Sequence, residues 1–226
     1  SSLGLCAYYL CTAMALKNGE LSIYYPIIRS SPIVVVAISF FLFDLHYALI
    51  TICGIALVLL GAYFMQSSGQ RVNGTGRMLS NPYALAMALL AMVGSGIYTV
   101  SDSLAMARVD PGPFLFWVYL LLSTACLGIF LLRKPAGRDA LDHLFGGWKL
   151  NPWHMLWAGC VSYFSYLLIL LDFGRGGDAA AVSALRQASI PISVILGGLV
   201  LGELNITKRF RWSLAIVAGI VTVILA

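Results

Sequence analysis

Eight apolar runs, joined mostly by connections of a few residues, occupy nearly all of this chain, and they leave no room for a soluble domain. They lie near Leu3–Leu16, Ser22–Phe43, Tyr47–Met65, Pro82–Met106, Pro113–Leu132, Trp153–Leu171, Ala179–Gly202 and Trp212–Ala226. Crossing a bilayer takes about 20 apolar residues, so most of these runs are long enough or nearly so. Of the 226 residues, 60% are hydrophobic and 10% are charged. A soluble domain carries about a quarter charged residues, so the surplus apolar surface must face lipid. The expected fold is all-α, a polytopic helical membrane protein with about eight spans. The first run is short, the chain opens Ser1-Ser2, and the last run stops at Ala226, so the natural protein is expected to be longer. No basic region precedes the first run, which argues against a secretory signal peptide.

Two arginines sit inside apolar runs, where a guanidinium is costly and is held for a reason. Arg29 lies in Pro26-Ile27-Ile28-Arg29-Ser30-Ser31-Pro32, and Arg186 lies in Ala184-Leu185-Arg186-Gln187-Ala188-Ser189-Ile190-Pro191. Each segment has a cation, small hydroxyl residues and a proline. A further apolar stretch then ends in an acid, Asp44 or Glu203. An offset of about 158 residues places Gly19 on Gly177, Glu20 on Asp178, and Arg29 on Gln187 beside Arg186. Pro32 to Asp44 and Pro191 to Glu203 are both twelve positions. The helices that follow also pair, with Gly54 and Gly61 set against Ser213 and Gly219. Spans one to three therefore repeat as spans six to eight. Five spans separate equivalent elements, so the copies enter the membrane in opposite senses. Secondary transporters use such inverted repeats to build a site near the midplane. The polar, Gly-rich stretch from Gln66 to Asn81 reads as the joint between the copies. The expected domains are 1–66 and 82–226, with 67–81 as linker. Within Arg133–Asn151, Ala140, Leu141, Leu144, Phe145 and Trp148 fall at helical spacing. That segment reads either as an amphipathic helix at the interface or as an ordered loop.

This pattern resembles the EamA domain of the drug/metabolite transporter superfamily. The resemblance rests on a small-residue helix with Pro32, an acid after the helix (Asp44-Leu45; Gly202-Glu203-Leu204) and a Gly-spaced helix after that. It also rests on Tyr98-Thr99-Val100-Ser101-Asp102 followed by Val109-Asp110-Pro111, which looks like the start of a second repeat. It covers essentially the whole chain. It implies ten spans as two five-helix inverted repeats, of which this chain lacks the first two. It also implies a multi-pass protein of the bacterial inner membrane that exports amino acids or related metabolites. Asp44 stands where the family usually has Gly-Glu.

Net charge is +5, carried in short connections as expected beside anionic headgroups, and no nucleic-acid partner is indicated. With loops assigned alternately, one side holds ten Lys and Arg and the other holds Arg108 and Arg175. The positive-inside rule would place the ten-charge side in the cytoplasm and both chain ends outside. The family resemblance implies cytoplasmic ends, so the two arguments disagree.

Arg29 and Arg186 lead the candidate substrate-binding residues. Each is about seven residues into its helix, roughly 10 Å deep. A guanidinium holds a carboxylate or phosphate with two parallel hydrogen bonds. The alternatives are pairing with Asp102 or snorkelling to headgroups. Asp102 could accept a coupling proton, or be hydrated or bridged to Arg108 near the helix end. Tyr98 lies one turn before Asp102 on the same face. Tyr24 and Tyr25 could gate a cavity mouth or belong to an aromatic belt. Trp117, Tyr119, Tyr163 and Tyr166 line the cavity or pack the bundle, and Trp117 and Tyr163 join the candidate set. Pro32 and Pro191 are expected mid-helix, where matched kinks suit a rocking motion.

Cys6, Cys11, Cys53, Cys126 and Cys160 lie in apolar runs and read as small buried hydrophobes, neither disulfides nor metal ligands. His46, His143 and His154 are dispersed and no nucleophile elbow is present, so no enzyme activity, metal or cofactor is expected. No nucleotide-binding motif is present either. The expected function is secondary-active transport of small polar metabolites, such as amino acids or organic anions. It would be driven by protons or a counter-substrate, with the bilayer and a second copy of the chain as partners. The competing reading is a non-transporting membrane scaffold on the same fold.

Overall fold

Prolines and asparagines set where the long helices start. Asn81 caps the helix Pro82–Met106 (α4), its side chain accepting from the amides of Tyr83 and Ala84. Proline at the first helical position loses no hydrogen bond there, because that amide would be unpaired anyway. Pro152 begins α6 (Pro152–Gly174) in the same way. In the computed structural model the described residues are 1–18, 24, 27–44, 46–67, 81–133, 146, 148, 151–189, 192 and 206–225. Tyr25, Pro191, Glu203, the joint at 68–80 and nearly all of 134–150 lie outside them.

The remaining helices are α1 (Ser2–Asn18), α2 (Ser31–Phe43), α3 (Leu49–Ser67), α5 (Pro111–Arg133), α7 (Ala179–Leu185) and α8 (Ile206–Leu225). All regular structure among the described residues is helical. Three helices are long and apolar enough to cross a membrane: Pro82–Met106, Pro111–Phe130 and Pro152–Gly174. Ile27–Phe43, Leu49–Phe64 and Phe210–Leu225 are shorter apolar helices. Outward faces keep large apolar side chains exposed, among them Phe41, Leu49, Phe116, Trp153, Trp157 and Leu168.

Helix α4 is the centre of the fold. Half of its apolar window is buried, against 11% for α5 and 17% for α6. Its alanine face (Ala84, Ala88, Ala91) packs on Ala15, Tyr24 and Ile28. Small side chains let helix backbones approach closely, and Gly94 sits against the backbone of Gly4 in α1. On the far side, α3 and α8 form the other extensive pairing, around Val58, Ala62, Ile216 and Ile220. A Cβ on Gly219 would lie 2.7 Å from the Gly54 carbonyl oxygen, so only glycine fits that crossing. Helices α2 and α7 also touch.

Both arginine segments are interrupted beside the arginine, and the mid-helix position expected for Pro32 is not where it lies. Residues 27–29 are helical, Ser30 is a turn, and Pro32 sits in the first turn of α2 rather than at its middle. Arg186–Ala188 tighten into a 3₁₀ turn directly after α7. Helix α2 ends at Asp44, which adopts a left-handed conformation (φ 53°) and returns its amide to the Ser39 carbonyl. At α7 the start is built by Asp178, which accepts from Ala180 and Ala181 and also from the Tyr47 hydroxyl.

The five cysteines are free thiols. Cys6 is buried, whereas Cys53 and Cys160 are exposed, so burial is not general to them. They point outward because their helices present apolar faces on both sides.

Candidate anion site at the two helix breaks

Ser95, Tyr98, Thr99 and Asp102 recur at helical spacing and share one face of α4. All four are buried, with Tyr98 2% and Asp102 1% exposed. A polar stripe on the inner face of an otherwise apolar helix must find partners within the protein. Thr99 donates to the Ser95 carbonyl at 2.8 Å. Asp102 Oδ2 accepts the Tyr166 hydroxyl of α6 at 2.5 Å.

The 3₁₀ turn brings Arg186 onto this stripe. Its guanidinium lies 5.3 Å from the Tyr98 ring centroid and donates to the Tyr98 hydroxyl, and to Thr99 Oγ1 at 3.4 Å. Among the described residues it is held by hydroxyls rather than by a carboxylate. A guanidinium has five donors, and these two bonds leave the others available.

Arg29 comes to the same place from the opposite break. Arg29, Ile28 and Ser31 line one wall of a small cavity, and Ser183, Arg186 and Gln187 line another. Tyr98 and Ser95 form its floor, and Tyr8 of α1 closes it. About 10 Å³ is open to water, room for roughly one molecule. Gln187 crosses between the breaks, donating to the Arg29 carbonyl at 3.2 Å.

The other candidates are placed as follows. Asp102 does not line the cavity but stands behind it, joined through Tyr166 to Tyr98, whose rings are 6.5 Å apart. It is 1% exposed, whereas Arg108 at the helix end is exposed. Trp117 is 59% exposed on the outward face of α5, edge-on to Phe116. Tyr163 is 39% exposed and packs on Tyr119 and Phe164. Neither meets the arginines. Tyr25 is outside the described residues, while its neighbour Tyr24 is buried and donates to the Asn81 carbonyl at 3.3 Å.

Sequence reasoning missed Tyr8, Ser95, Ser183 and Gln187, and left Tyr166 between lining the cavity and packing the bundle. The repeat offset holds a signal for two of them, since it sets Tyr8 on Tyr166 and Arg29 on Gln187. Tyr8 and Tyr166 flank Tyr98, with ring centroids 6.0 and 6.5 Å away. The arrangement offers two guanidinium groups, several hydroxyls and an amide to one small space. That set suits an oxyanion with two or three acceptor oxygens. Among the described residues no three His, Cys, Asp or Glu side chains group as for a metal ion.

No protein-family model matches the chain. No curated protein matches it. A solved structure, described as "Crystal structure of protein", matches 98% of this chain and 73% of its own with a TM-score of 0.72 at 19% identity. What the two chains share at that identity is the fold.

Proposed function

We propose that this chain is the core of a polytopic membrane transporter that carries a small metabolite bearing a carboxylate or phosphate. The observation that carries the reading is the convergence of Arg29 and Arg186, from two separate helix breaks, on one cavity floored by Tyr98. Broken helices around a central polar space are the way transporters make a site at membrane depth. Apolar outward faces and three helices of spanning length and composition support a bilayer setting. The reading takes all eight apolar runs as spans, related by an inverted repeat of EamA type, in a bacterial inner membrane. The pairing of α3 with its repeat equivalent α8 supports that symmetry.

The arginines would bind the anionic group, and the serines and Gln187 would orient it. The two repeats would rock about the Arg29–Gln187 contact to expose the site to either side. With no nucleotide-binding motif, a proton or counter-substrate gradient supplies the energy, and amino acids or organic anions are the expected cargo, with export the expected direction.

The scaffold reading draws on the small size of the cavity, which has room for roughly one water. Reconstituting the full-length protein in liposomes and measuring counterflow of labelled amino acids, dicarboxylates and phosphate separates the two. Transport predicts saturable uptake of at least one anion above empty liposomes. A scaffold predicts none for any.

A further inference from the structure

Among the described residues, the buried carboxyl of Asp102 is the one acid placed against the arginine site, and the transport reading alone gives it no task. Its Oδ2 is taken by the Tyr166 hydroxyl, and its Oδ1 has no hydrogen-bond partner among the described residues. An unsatisfied buried carboxylate oxygen is costly, whereas the same oxygen bearing a proton is not charged. The groups facing it are few. Tyr166 comes from α6 with Tyr119 of α5 at its back, Tyr98 from its own helix, Arg186 from the 3₁₀ turn, and Ser1 from the start of α1. Two cations face the carboxyl, the N-terminal ammonium at Ser1 and the Arg186 guanidinium, and only the latter belongs to the anion site. It is close enough for its charge to act on the carboxyl.

Resting on the anion-transport reading, the geometry points to Asp102 as a proton site linked to the anion site through Tyr166, Tyr98 and Arg186. Without cargo, the charge of Arg186 is shared with the Asp102 carboxylate. When an anion takes the remaining donors of Arg186, that compensation is lost and the carboxylate faces added negative charge. A proton from water then binds Oδ1 and leaves a neutral acid, still accepting from Tyr166 at Oδ2. One anion and one proton enter together, and they leave together. Linkage is reciprocal, so acid must tighten anion binding by the same factor by which the anion tightens proton binding.

The test is equilibrium binding to the full-length protein in detergent, between about pH 5 and pH 8, with lactate, L-glutamate and sulfate as probes, whose acid groups stay ionised over most of that range. For a probe that binds, affinity rises as pH falls, by up to about tenfold per unit for one linked proton. A pH-indicator dye reports uptake of up to one proton per anion bound. Asp102→Asn, which imitates the neutral acid, flattens the dependence and binds at high pH as the unmodified protein does at low pH. Tyr166→Phe, which cuts the chain but keeps the ring, weakens the slope. If Asp102→Asn does not fold, the dye measurement on the unmodified protein still decides. Binding without proton uptake, or an unchanged slope in Asp102→Asn, overturns the linkage and leaves the anion site standing. Failure of all three probes to bind overturns both.

Discussion

The side-chain amide of Gln187 donates to the backbone carbonyl of Arg29 at 3.2 Å, across a separation of 158 residues. Helix geometry explains why that carbonyl is available. Three residues on, Pro32 has no amide to give it, and four residues on, the Ile33 amide turns back to Ser30 at 3.1 Å. The Arg29 break thus leaves an acceptor with no helical partner, and the Arg186 break supplies the donor. Cutting that bond removes the side-chain link between the two breaks at a half-buried acceptor. Gln187→Leu is expected to cost about 1–3 kcal/mol, read as a lower midpoint of thermal unfolding in detergent.

Asp44 ends α2 in a conformation that glycine adopts at no steric cost. Asp44→Gly should therefore stabilise the protein by up to about 1 kcal/mol, visible as a raised unfolding midpoint. A loss of stability would mean that the carboxylate itself carries the turn.

Asp178 holds two amides at the start of α7 and the Tyr47 hydroxyl at 3.2 Å, so it joins the approach to α3 with the second arginine segment. Asp178→Ala removes an N-cap and should cost about 1 kcal/mol. Tyr47→Phe should cost less. A double-mutant cycle between them should show coupling, since the two share one hydrogen bond.

Helices α3 and α8 cross through Gly54 and Gly219 with no space for a methyl group. Gly219→Val should separate them and destabilise the protein by about 1–3 kcal/mol or more. Gly112, which has open space around it, should accept alanine with little change in the same unfolding assay.

Where a helix could be read from the sequence depended on local chemistry. Pro82–Met106 matches the expected run at both ends because Asn81 and Pro82 mark its start and its apolar length sets the rest. Arg29 and Arg186 stood out because charge is rare in apolar segments, and the similar residues around them drew the two segments together as one motif. The depth to which each helix docks was not legible. Tyr163 and Tyr166 are three residues apart on α6, yet one is 39% exposed and the other 9%. Residues 152–165 of α6 are all exposed, and burial begins only at Tyr166. That boundary is set by neighbouring helices, to which a single segment carries no clue. Gln187 and the serines escaped for a related reason. Small polar residues in apolar helices serve packing as often as ligands, and only the meeting of the breaks distinguishes the two uses.

Uptake by liposomes containing Arg29→Ala and Arg186→Ala protein tests the central claim most directly. Loss of a charge-assisted hydrogen-bond pair is worth about 1.5–3 kcal/mol, so each variant should lower the apparent affinity for the transported anion by roughly 10- to 150-fold. Arg186→Lys should recover part of that loss, because an ammonium keeps the charge but not the fork that reaches Tyr98 and Thr99. Undiminished anion uptake by both alanine variants would contradict the account.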